Sequence, residues 1–143
     1  MLFGPYQYSP SLSFAGTVEP DDIDDIKRDG FKVVVNNRTD GESPRQVPSS
    51  ELKRLAEEAG LRFVDIPFKG GNLTADQVAE FQAVMRDPAK TIAVCASGTR
   101  CAIITAAAEV ASGLPVPNAM AKVKAAGFDL DAMSGFIESF ARQ

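Results

Sequence analysis

The stretch TIAVCASGTRC, residues 91–101, decides how the chain is read. Thr91, Ile92, Ala93 and Val94 form a short apolar run that ends at Cys95. Ala96, Ser97 and Gly98 are then too small to continue a packed strand. Arg100 opens a helical segment of small residues that reaches about Gly113. A short apolar run bounded by turn residues is the mark of a fully buried strand. A buried strand that turns directly into a helix is the unit of a parallel sheet covered on both faces.

The same alternation extends in both directions. Ser11 to Gly16 places Leu12 and Phe14 on one face and predicts a short strand. Pro20 starts a helix with acidic residues in its first turn, which buries Ile23 and Ile26 and stops at Gly30. FKVVVN, residues 31–36, is β-branched and reads as a buried strand. A polar loop, NRTDGESPRQVPS, follows. Ser49 or Ser50 is expected to cap the next helix, which ends at Gly60. LRFVDIPF, residues 61–68, predicts another strand, and Thr74 caps a helix with Val78, Phe81, Val84 and Met85 on one face. Two more helical segments run from about Pro117 to Ala126 and from Leu130 onwards. Tyr6, Tyr8 and Phe14 suggest an aromatic flap packed over the sheet edge, and DDIDDIKRD a solvated helix face with i,i+4 pairs. The expectation is one α/β domain over residues 1–143, with a mostly parallel central sheet and helices on both faces.

Composition narrows the chemistry. The net charge of −4 offers no general attraction to nucleic acid or anionic membranes. No apolar run is long enough to span a bilayer, and MLFGPYQYSP lacks the form of a secretory signal, so a cytoplasmic protein is expected. The chain has no histidine, which removes Ser-His-Asp and Cys-His hydrolases together with His-based metal sites. Its two cysteines, Cys95 and Cys101, fit neither a zinc pattern nor a structural disulfide. No metal and no cofactor are expected. Cys, Arg, carboxylates and backbone dipoles must carry whatever reaction occurs.

CASGTR supplies the cysteine, the arginine and the backbone dipoles at one strand-to-helix turn, where open α/β sheets bind their ligands. The small residues Ala96, Ser97 and Gly98 let successive N–H groups curl inward as an anion nest. Thr99 completes the loop, and the helix that follows adds its positive end. Arg100 supplies a planar, permanently charged fork for an oxyanion. A cysteine at the lip of such a cup has a stabilised thiolate and becomes a nucleophile. Cys101 reads as packing or as a hydroxyl-like hydrogen-bond partner of Cys95, with a resolving thiol as the lesser alternative. Arg38, directly after a buried strand, is a second candidate for binding the anion. Lys69, beside Gly70 and Gly71, is a solvated turn residue that can add charge at the pocket mouth.

SPSLSFAGTVEPDDIDDIKRDGFKVVVNNRTDGE, FVDIPFKGG and CASGTR together resemble the phosphatase-like domain of the beta-lactamase-hydrolase-like proteins. That bacterial group has a tyrosine/dual-specificity-phosphatase-like fold, and its members are also described as rhodanese-like sulfurtransferases. The resemblance implies Cys95 as nucleophile, Ser97 and Gly98 as shapers of the anion loop, and Arg100 as binder of the transferred group. It places Arg38, Asp40 and Glu42 on a neighbouring loop at the rim.

Tyrosine phosphatases space cysteine and arginine by five residues and carry a histidine before the cysteine. Here four residues intervene and Val94 precedes Cys95. Those enzymes also place an acid after the strand matching RFVDIPF, where this chain has Lys69, Gly70, Gly71 and Asn72. Asp40 is the best candidate proton donor on the rim. A short loop without an acid favours sulfane-sulfur transfer as the leading expectation, with thiosulfate or a persulfide as donor. A sulfur-acceptor thiol or a persulfide-handling enzyme would then be its partner. The alternatives are a phosphomonoester hydrolase acting on a small phosphoester and a non-catalytic anion-binding module.

Overall fold

The computed structural model describes residues 4–141. The reading of the extreme N-terminus as free of a signal therefore falls partly outside the described residues. In chain order the elements are β1 (Tyr6–Ser9), β2 (Leu12–Ala15), α1 (Asp22–Arg28), β3 (Val33–Asn36), α2 (Ser49–Glu58) and β4 (Arg62–Asp65). They continue with α3 (Ala75–Arg86), β5 (Thr91–Val94), α4 (Thr99–Ala111), α5 (Val116–Ala125), a 3-10 turn (Asp131–Met133) and α6 (Ser134–Glu138). No helix among the described residues is long and apolar enough to cross a membrane.

The sheet has the order β1-β2-β5-β3-β4, and every pairing is parallel except the antiparallel β1–β2 edge. Every residue of β2, β3 and β5 is buried. This explains why their sequences are nearly continuous apolar runs. Alternation along the pleat divides the core in two. Val33, Val35 and Ala93 face the helical layer of α3 to α6, where Phe14, Phe81 and Ile104 are fully buried. Val34, Ile92 and Val94 face α1 and α2 and meet Ile23, Ile26, Leu52 and Ala56.

Helix α4 follows β5 through the middle of the first layer. Cys101 to Ala108 and Val110 are all buried, which requires an apolar surface almost all round. Its alanines allow close approach by neighbours, and α4 contacts α3, α5 and α6.

Register sets the position of the site. Val94 pairs with Ala15 on one side and with Asn36 on the other, and Asn36 pairs with Asp65. The carboxyl ends of four parallel strands therefore stop level. The segments after Ala15, Asn36, Asp65 and Val94 all open along one edge.

The structure departs from the sequence expectations in four places. Tyr6–Ser9 is an edge strand of the sheet rather than a flap packed over it, because pairing with β2 satisfies its backbone. The strand expected over residues 61–68 is regular only from Arg62 to Asp65, since its tail diverts toward the site. Helix α2 has Pro48 at its N-cap and no side-chain cap there; Ser49 is already helical, and its amide donates to Asp40 Oδ1 at 2.8 Å. In DDIDDIKRD, Asp22 is buried and accepts from the Glu19 amide, and Arg28 pairs with Asp25 at i,i+3 rather than i,i+4.

Candidate active site

Cys95 lies immediately beyond the last strand residue of β5 and is 2% exposed. Its amide donates to the Ala15 carbonyl, so the chain is held to β2 until the turn begins. Gly98 then takes φ +97°, a left-handed conformation that an L side chain adopts only with strain. That geometry turns the Gly98 N–H back onto Cys95 Sγ at 3.0 Å. The next residue, Thr99, is the first of α4. Loop and helix start are thus one device, with amide dipoles converging on sulfur.

The Cys95 thiol is pulled down to about 5 from its ordinary value. The largest cause is a hydrogen bond from the Cys101 thiol; burial opposes it, and the backbone N–H groups of Cys101, Ser97 and Gly98 add to it. Cys101 is fully buried, and burial with the adjacent Cys95 pushes its own thiol well up. The pair is strongly polarised: Cys95 ionises first and Cys101 remains the donor. Both cysteines are free thiols.

Arg100 is oriented from outside the loop. Its Nη1 donates to Glu42 Oε2 at 2.6 Å and to the Phe68 carbonyl at 3.2 Å, and its Nη2 donates to Glu42 Oε1 at 2.7 Å. A guanidinium has five N–H donors, so Nε–H and the second Nη2–H remain on one edge for an oxyanion. Glu42 also accepts from Arg38 Nε at 3.1 Å and from the Thr39 amide and hydroxyl. These contacts, that from Arg100 foremost, hold the Glu42 carboxyl well below the usual carboxylate range despite its burial. Arg38 Nη1 reaches Thr17 Oγ1 at 3.3 Å, and that hydroxyl donates to the Ala96 carbonyl at 3.2 Å. Segments following β2, β3, β4 and β5 therefore meet around one charge cluster.

The structure brings Cys95, the loop residues, Arg100 and Arg38 together, with Glu42 joining the two arginines. Ala96, Ser97 and Thr99 are exposed on the outside of the loop, and Ser97 Oγ lies 3.1 Å from Thr99 Oγ1. Asp40 is exposed, with Oδ1 on the Ser49 amide and Oδ2 3.4 Å from its hydroxyl. It nevertheless shares with Cys95, Asn36 and Arg38 the lining of a small cavity. Lys69 is exposed, and Asp65 accepts from Asn36 Nδ2 at 2.8 Å. Among the described residues, no cluster of His, Cys, Asp or Glu could hold a metal ion. Residue patterns did not single out Thr17 or the Phe68 carbonyl, and only the family resemblance raised Glu42. Their roles depend on strand register.

A cysteine at the carboxyl edge of a parallel sheet, wrapped by amides and followed by a clamped arginine, defines a cysteine-based, phosphatase-like domain. The chain belongs to the family of the beta-lactamase hydrolase-like protein, phosphatase-like domain, which it matches over residues 6–112. It is 30% identical over 134 residues to a beta-lactamase hydrolase-like protein of Xylella fastidiosa, covering 92% of this chain and 31% of that protein. Its relative of the same description in Agrobacterium fabrum is 30% identical over 129 residues, 89% of this chain and 30% of the other. The chain thus spans about a third of the length of the curated relatives it matches. Among solved structures, a candidate phosphatase of Neisseria meningitidis superposes with TM-score 0.82 at 23% identity, covering 94% of this chain and 96% of that one. Tk-PTP in its active form gives TM-score 0.74 at 18% identity over 94% and 93% of the two chains. These likenesses establish the tyrosine/dual-specificity-phosphatase-like fold.

Proposed function

We propose that the domain is a phosphomonoester hydrolase working through a covalent phosphocysteine on Cys95. The observation that carries this reading is the Gly98 N–H on Cys95 Sγ, with the open edge of Arg100 beside it. It also agrees better with the comparisons than the sulfur-transfer reading does. Cys95 thiolate attacks phosphorus, an S–P bond forms, and the P–O bond to the alcohol breaks. The departing oxygen takes a proton from Asp40 in its acid form or from water. Water then attacks phosphorus, the S–P bond breaks, and phosphate leaves with the thiolate restored. Loop amides and Arg100 stabilise charge on the non-bridging oxygens. Arg38 supports the binding of the same dianion.

Two features favour a second reading, sulfane-sulfur transfer: the six-residue span from Cys95 to Arg100 and the absence of any carboxylate from Pro67 to Thr74. There the thiolate attacks the sulfane sulfur of thiosulfate or of a persulfide, and the donor's S–S bond breaks as sulfite or a thiolate leaves. The resulting Cys95 persulfide passes that sulfur to an acceptor thiol or cyanide as the Cys95 thiolate is restored. A paired assay separates the two. Phosphate release from 4-nitrophenyl phosphate, abolished by Cys95→Ser, is the expected result. Thiocyanate from thiosulfate and cyanide without phosphate release would replace the hydrolase with the sulfurtransferase. Silence in both assays would leave an anion-binding module. Asp40→Asn tests the proton donor: about 100-fold loss on phenyl phosphate is expected, with far less on 4-nitrophenyl phosphate, whose leaving group needs no proton. Equal losses on both esters would remove Asp40 from that role.

A further inference from the structure

A groove of about 330 Å³ runs beside the cysteine loop, between Tyr6, Ser97, Thr99, Phe128, Asp129 and Leu130. It adjoins the anion site, because Ser97 and Thr99 on its wall belong to the loop that wraps Cys95. Phe128 abuts the loop directly: a Cβ on Gly98 would lie 2.8 Å from the Phe128 ring. Tyr6 meets Phe128 edge to face at 5.2 Å, and Phe128 meets Phe14 the same way at 5.8 Å. The aromatic wall is thereby fixed to the core rather than loose on the surface. Asp129 is the one charged side chain lining the groove. Its Oδ1 accepts the Asp131 amide at 3.0 Å, which holds the carboxylate in place. Volume and lining fit a ligand subsite, with an apolar wall and few polar groups that fix orientation.

We propose that this groove is a leaving-group subsite selecting phosphomonoesters whose organic part has an aromatic or apolar body carrying a cationic amine. The inference rests on the hydrolase reading for its substrate class and adds a specificity that the anion cup lacks. With the phosphoryl group on the Cys95 loop, the organic part extends past Ser97 and Thr99 onto the Tyr6–Phe128 wall. An ammonium on that part meets the Asp129 carboxylate and the electron-rich ring faces. A carboxylate at the same point is repelled by Asp129.

The test uses two matched pairs. The first is 4-(aminomethyl)phenyl and 4-(carboxymethyl)phenyl phosphate, compared by kcat/KM. The second is the corresponding pair of non-hydrolysable benzylphosphonates, compared by protection of Cys95 from iodoacetamide. A preference for the ammonium member of about two- to fivefold is expected, the size of a solvent-exposed charge interaction. Asp129→Asn should collapse that ratio in both pairs. Tyr6→Leu should weaken protection by both arylphosphonates relative to methylphosphonate. Equal use of the two members by the unaltered protein, or a ratio unmoved by Asp129→Asn, overturns the subsite. Hydrolysis with no charge preference would refute the subsite and leave the hydrolase. Charge-selective protection without hydrolysis would do the reverse.

Discussion

Cys95 and Cys101 show how one side chain sets another's chemistry. Cys101 stands directly after the arginine, in the first turn of α4, and has no path to solvent. Its thiol is the largest single support of the Cys95 thiolate. Cys101→Ala should therefore move the pH midpoint of Cys95 alkylation upward from about 5. Cys101→Ser, which keeps a donor, should restore it. Identical midpoints in Cys101→Ala and the unaltered protein would show that the loop amides suffice. Arg100 makes a different contribution, since Glu42 and the Phe68 carbonyl hold its guanidinium with one edge open. Arg100→Ala should cost about 100- to 1,000-fold in kcat, as removal of an oxyanion donor does.

The junction of β5 and α4 is where strand, loop and helix depend on one another. Gly98 is the left-handed hinge, and a Cβ there would lie 2.8 Å from the Phe128 ring. Gly98→Ala forces either the hinge or the ring to shift. It should destabilise the fold by about 1–2 kcal/mol from backbone strain alone and should raise the Cys95 thiol by displacing its amide. Urea titration and alkylation profiles measure the two effects separately. The helical layer beneath has its own anchor in α3, where Phe81 is fully buried. Phe81→Ala should cost about 3–5 kcal/mol and leave the Cys95 alkylation midpoint near its original value, because the hydrogen bonds that hold the thiolate come from Cys101, Ser97 and Gly98.

Ionisation of Cys95 is linked to the stability of the whole molecule. A thiol that ionises near 5 when folded and near 8.5 when unfolded binds fewer protons in the folded state between those values. Stability linked to Cys95 is therefore full above the unfolded value and is lost as pH falls through the folded one. The stability difference between the unaltered protein and Cys95→Ser should rise from pH 5 to about 8.5. A flat difference across that range would mean that the thiolate does not form in the folded protein. The same frame explains the two-faced core. Short β-branched strands buried on both sides need helices on each, and level strand ends then gather four loops at one edge.

Much of this was legible along the chain, because its causes are local. TIAVC followed by ASGTR, the β-branched FKVVVN and the cap at Thr74 each write their element in a few neighbouring residues. The thiolate cup at Cys95 was legible for the same reason, since strand end, small loop and helix start are contiguous. Contacts across the fold were not. Glu42 clamps Arg100 from 58 positions away, and the Phe68 carbonyl reaches it from 32. Tyr6 meets Phe128 from the other end of the chain. Asp40 read as a rim acid beside the cup, yet its carboxylate is bonded to Ser49 at the start of α2. Local propensity and periodicity act over a few residues and so prescribe strands, helices and the cysteine loop. The partners that orient Arg100 and wall the groove are set by strand register and helix packing, which exist only once the chain has closed on itself.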